Sequence, residues 1–184
     1  MKKLFAGLVV LALVATTRAS DTKPIEDVFN RYWSVFSKQE FTKAAADVLP
    51  SDLEETKAAV LPLFLGAQGH KDKQIQEFVA AFFGRTVGRA RETMSPVDVF
   101  VALNRIITLN DPQMFEALKQ ATTSIIFVRR PAADAAEIHF QVTVNGASDT
   151  DAEMLVQKNG RWWLRAKEDP QAMAAQFQAM FAAK

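Results

Sequence analysis

Residues 157–166 read QKNGRWWLRA. Asn159-Gly160 sits between two apolar, strand-like runs, the strongest short-range signal for a two-residue hairpin turn. Such a turn pairs Lys158 with Arg161, Gln157 with Trp162, Val156 with Trp163 and Leu155 with Leu164. Neighbouring side chains in a strand point to opposite faces, so the two tryptophans cannot share one core. One face holds Leu155, Gln157, Trp162, Leu164 and Ala166. The other holds Met154, Val156, Lys158, Arg161, Trp163 and Arg165. The first set is the cleaner apolar one, which sends Trp162 inward and leaves Trp163 outside between two arginines.

Upstream of this hairpin the period is also two. Ile138, Phe140, Val142 and Val144 fall on one side of Ala136–Asn145, and Glu137, His139, Gln141, Thr143 and Asn145 on the other. Ser124–Arg129 is β-branched and aromatic, and Ala152–Lys158 is the strand that enters the turn. Before residue 120 the period is 3.6. Ile25, Val28, Phe29, Tyr32, Trp33 and Phe36 mark one helix face, with Pro24 suited to its first turn. A short segment at Phe41–Leu49 follows. Ser51 with Glu54 three residues on predicts a capped helix start, and Pro62 is expected to bend or end that helix. Ile75–Phe83, the segment after Ser95-Pro96 and the segment after Asp111-Pro112 read as further helices. Asp169-Pro170 opens a last one carrying Met173, Phe177, Met180 and Phe181. Helices followed by an antiparallel meander predict an α+β fold: N-terminal helices on a curved antiparallel sheet of about four strands, with an extra C-terminal amphipathic helix.

Lys2 and Lys3, the apolar run Leu4–Ala15, and the small residues Thr17 and Ala19 have the form of a secretory leader over 1–19, cut after Ala19. This predicts a periplasmic or secreted protein and one domain over 20–184. The whole chain has 22 basic and 21 acidic residues. Lys2, Lys3 and Arg18 would leave with the leader, giving 19 against 21, so nothing global favours nucleic acid. There is no cysteine, which excludes disulfides, thiol catalysis and zinc–thiolate sites.

The strand Ile138–Val144, together with Leu155, Val156, Asn159, Gly160, Trp162 and Leu164, resembles the closing meander of the nuclear transport factor 2-like (cystatin-like) superfamily, in its small exported bacterial form. The resemblance covers roughly residues 95–166 and implies a curved sheet wrapped on a long helix. Two departures stand out: there is no hairpin among the early helices, and a C-terminal helix is added. The superfamily hosts enzymes, carriers and assembly modules, so the likeness carries no chemistry by itself.

Candidate sites follow from residue type. His70 lies in the polar stretch GAQGHKDK, and His139 lies on a polar strand face beside Glu137 and Gln141, with no acid expected to orient it as a general base. Asp149, Asp151 and Glu153 alternate in NGASDTDAE, but a calcium loop needs Gly at its sixth position and Met154 holds it. The segment therefore reads as a solvated hairpin loop, with no metal and no cofactor. Arg85, Arg89 and Arg91, near Gly84 and Gly88, form a candidate anion site. Phe78, Phe82, Phe100, Phe115, Phe140 and Trp162 are candidates to line an apolar pocket. Met154, Val156, Arg161, Trp163 and Arg165 form a candidate interface. The C-terminal helix is the first expected cover for Trp163, a second copy of the chain is the next, and a ligand or envelope partner the third. The leading expectation is a non-enzymatic binding or assembly module, the alternative a carrier of a lipid or other apolar molecule, and the last an enzyme using His139.

Overall fold

The computed structural model describes residues 19–182; the expected leader lies outside them apart from Ala19. Helices α1 (Ala19–Phe36), α2 (Phe41–Ala45), α3 (Pro50–Gly66), α4 (Lys73–Phe83), α5 (Pro96–Asn110) and α6 (Pro112–Gln120) come first, with a 3₁₀ turn at Gly88–Arg91. Strands β1 (Thr122–Ala132), β2 (Ala135–Val144), β3 (Ala147–Lys158) and β4 (Arg161–Leu164) follow, and α7 (Pro170–Ala182) ends the chain. The strands pair antiparallel in the order β1-β2-β3-β4, and the sheet is not closed. The fold is α+β, as the change of period predicts.

The hairpin has the register its turn dictates. Leu155 pairs with Leu164, Val156 with Trp163, Gln157 with Trp162 and Lys158 with Arg161. Asn159 and Gly160 both take positive φ, 54° and 75°, as a type I′ turn requires. Trp162 is 6 % exposed and joins Ile138, Phe140, Leu155 and Leu164 over the α1 face of Ile25, Val28 and Phe29. A second core is purely helical: Val60 and Phe64 of α3, Val79 and Phe82 of α4, and Val99 and Ile106 of α5. A small cluster of Ala45, Val48 and Leu53 lies between the two cores, with Tyr32 and Phe100 against it.

Several expectations need correction. The stretch 147–153 is not a loop: β3 begins at Ala147, directly after the turn Asn145-Gly146, whose φ values of 50° and 82° repeat the geometry of the second turn. The expected capping box at Ser51 is absent. Leu49 N donates to Leu164 O (2.8 Å) and Leu164 N to Asp47 O (2.9 Å), so β4 fixes the chain there and α3 starts earlier, with Pro50 at its first position. Pro62 does not end α3, which runs on to Gly66. Pro62 and Ala58 are both exposed, so the carbonyl deprived of its helical bond faces water. Pro24 lies beyond the first turn, since α1 is already helical at Ala19.

The C-terminal helix does not cover Trp163. Phe177 and Phe181 of α7 pack edge-on against Phe64, at 5.1 and 5.3 Å between ring centroids, so α7 completes the helical core. An apolar stripe shows that a helix must be buried but not where. Deleting the chain from Pro170 onward should therefore leave the local environment of Trp163 unchanged, read by quenching in a variant whose other tryptophans are Phe. Dye binding should still increase, because Phe64 and Phe78 lose their cover. A red shift of Trp163 on truncation would return α7 to the sheet.

Candidate functional site

The outer sheet face is built by strand alternation. Opposed residues of an antiparallel pair share a face. His139 lies opposite Phe127 and Ala152, Glu137 opposite Arg129 and Met154, and Val156 opposite Trp163. Phe127 is 50 % exposed and Met154 43 % exposed, while Val156 and Trp163 are half-buried. The result is a diagonal band, apolar on β1, β3 and β4 and crossed on β2 by His139 and Glu137. A bulge between Ile125 and Phe127 sets Phe127 opposite His139, where the two rings stack at 4.2 Å between centroids.

Charges fix the margins of this band. Arg129 Nε donates to Glu137 Oε2 at 2.7 Å, and His139 Nε2 lies 3.0 Å from Glu137 Oε1. The Arg129 guanidinium, with His139 beside it, holds the Glu137 carboxyl below the ordinary carboxylate range. Glu137 is thus the orienting acid that sequence reading did not assign to His139. The signal was its i, i+2 spacing on one strand face.

At the other margin Arg161 lies over the Trp163 ring, its guanidinium carbon 4.0 Å from the centroid. The same guanidinium donates to Ala46 O (2.8 Å) and to Asp47 Oδ1 (3.1 Å). Arg31 forks onto Asp47 through Nε (2.8 Å to Oδ2) and Nη2 (2.5 Å to Oδ1). Arg165 Nε donates to Asp52 Oδ2 at 2.6 Å, and Ala166 N to the same oxygen at 2.9 Å. Asp47 and Asp52 are only 2 % and 3 % exposed. Both arginines that flank Trp163 in sequence are therefore anchored to buried carboxylates, and they hold the outer tryptophan rather than wait for a partner. Nothing local in the sequence ties Asp47 or Asp52 to the hairpin, because Arg161 and Arg165 lie more than a hundred residues away from them.

The remaining candidates do not converge. Phe78 and Phe82 belong to the helical core, Phe140 and Trp162 to the sheet core, Phe100 borders the small cluster, and Phe115 packs on Phe36 and Phe41. A cleft of about 690 Å³ lies between α4, α5 and α7 and meets only Phe78 of the six. Arg91 is taken up by Thr86 O and Gln68 Oε1, both at 2.9 Å, and lies over Phe83, while Arg85 and Arg89 are exposed. Gly84 does permit a close approach, but by Arg105: a Cβ there would collide with that guanidinium. His70 Nδ1 accepts from Asp72 N at 3.0 Å, and Asp72 caps α4. Among the described residues no cluster of metal-ligating side chains occurs, and no helix is long and apolar enough to cross a membrane.

Comparison with protein-family models, with curated proteins and with solved structures yields no match.

Proposed function

We propose that this chain is an exported, non-enzymatic binding and assembly module of the nuclear transport factor 2-like kind, and that it pairs with a second copy through the outer face of its sheet. One observation carries the reading: Phe127, Met154, Val156 and Trp163 form an apolar band on that face while α7, the expected cover, packs elsewhere. The dimensions favour a copy of the chain. Strands of 10 to 12 residues at roughly 3.3 Å rise and 4.8 Å spacing give a face of roughly 500–650 Å². Two such faces remove roughly 1,000–1,300 Å² from water, at the lower end of stable interfaces. The charges also suit a two-fold: Arg129 and Glu137 lie beside the band, so each copy presents both signs to the other.

The test is sedimentation. The mature chain should dimerise in the micromolar range, and Trp163→Ala should weaken the dimer by about 30-fold, the effect of losing a large aromatic contact. Monomeric behaviour of the parent up to roughly 100 μM would remove the reading, since an interface weaker than that falls outside the specific class.

A further inference from the structure

The sheet has an open edge. β4 pairs only with Leu155–Lys158, and Arg165 N adds one bond to Met154 O (2.8 Å). Over Ala147–Glu153 the outer edge of β3 has no strand beside it among the described residues. Its backbone directions follow from two bonds. Met154 O turns to the β4 side, while Gln157 N turns the other way, to Asp134 O at 2.7 Å. Alternation therefore aims the N–H and C=O of Ser148, Thr150 and Ala152 at the open edge.

Two of these donors are already taken. Thr150 N donates to Asp149 Oδ1 and Ala152 N to Asp151 Oδ1, both at 2.8 Å. Lys167, from the segment after β4, forms an ion pair with Asp151 Oδ2 and braces it in place. Register puts both aspartates opposite the inward residues Val142 and Phe140, so these are inward-pointing charges on an edge strand. An edge with free donors templates pairing with another chain, and inward charges are one way to blunt it.

We propose that Asp149 and Asp151 are edge guards: by occupying the Thr150 and Ala152 N–H groups they prevent β3 from adding the β3 of a second copy, strand to strand. The alternating carboxylates that resemble a cation loop in sequence are therefore a device against a wrong partner. Burial alone would raise the Asp151 carboxyl, but Lys167 and the Ala152 N–H bring it below its ordinary value, so this guard stays charged at neutral pH. Antiparallel pairing centred on Asp151 would also set Asp151 against its own copy and Asp149 against the Glu153 of the second copy, which like charges oppose.

The experiment uses the Trp163→Ala background at a few micromolar chain, where association through the outer face, weakened about 30-fold, is minor. Asp149→Val with Asp151→Val removes the acceptors from a strand-forming sequence. Its weight-average mass should at least double relative to the background, and hydrogen exchange at the Thr150 and Ala152 amides should slow as association proceeds. Asp149→Asn with Asp151→Asn keeps an acceptor oxygen at each position and should remain at the background mass. If the valine pair stays at the background mass with an unchanged near-ultraviolet spectrum, the guards do nothing and the proposal fails. If the asparagine pair associates as readily as the valine pair, the capping bonds are not the cause and the proposal also fails. Each single valine variant is measured alongside, so a fold lost in the double variant leaves the comparison intact.

Discussion

Truncating Phe64 to Ala is expected to lower the unfolding free energy by about 3–5 kcal/mol. Phe64 is fully buried in α3. Its ring stacks on Phe82 of α4 at 3.8 Å and on Phe78 at 5.7 Å, and it receives the edges of Phe177 and Phe181 from α7. One side chain thus joins three helices, and the void left by its removal cannot close without moving all of them. Each aromatic pair lost contributes about 0.5–1.5 kcal/mol beyond the area term. For a domain of this size the melting temperature should fall by about 10–15 °C. Phe127→Ala is the control: that ring is 50 % exposed on the outer face, and its removal should cost no more than about 1 kcal/mol in the monomer. Calorimetry or urea unfolding of both variants decides the matter, and equal losses would show that the helical core is not organised around Phe64.

The same contrast shows which parts of the structure are legible in the sequence. Phe64 follows Leu53, Val60 and Leu61 at helical spacing and so reads as core, and Trp162 reads as core from the turn before it, because both inferences need only a few residues in a row. The split into two cores is not local. Phe82 and Phe100 both sit in segments that read as helices, yet Phe82 joins the helical core and Phe100 borders the small cluster. The start of β3 is only half legible. Asn145-Gly146 carries the same turn signal as Asn159-Gly160, but the residues after it are polar on both faces. Acids at 149, 151 and 153 sit where inward apolar residues belong, which hides the strand from any pattern that asks for alternation. The outer face is half legible: parity places Trp163 there, but the anchoring of Arg161 and Arg165 by Asp47 and Asp52 depends on tertiary contacts.

Glu153 is the third of those acids, and replacing it by Gln is expected to stabilise the protein by about 2–3 kcal/mol at pH 8 and by almost nothing at pH 4. The residue pairs with Ile138 on the inward face of β3, and its carboxylate accepts no hydrogen bond among the described residues. Burial pushes its carboxyl up from the ordinary 4.5 to about 7, opposed by Lys167 and assisted by the charge of Asp151. The Tyr32 phenol is raised in turn, chiefly by burial and further by the Glu153 charge. The direction of the pH effect follows from proton counting. Between about pH 4.5 and 7 the folded state holds a proton that the unfolded state has released, so stability falls as pH rises across that window. Above it both states are ionised and the full cost of a charge in the interior remains. Below it both are protonated and the cost vanishes. Gln has nearly the shape of the protonated acid and never pays this penalty, so the two stability curves should converge below pH 4.5 and separate through pH 7. The measurement is urea unfolding of both proteins from pH 4 to 8. Parallel curves would place the Glu153 carboxylate in water at all pH values, and curves that separate on the acid side would mean that a cation stabilises it in the fold.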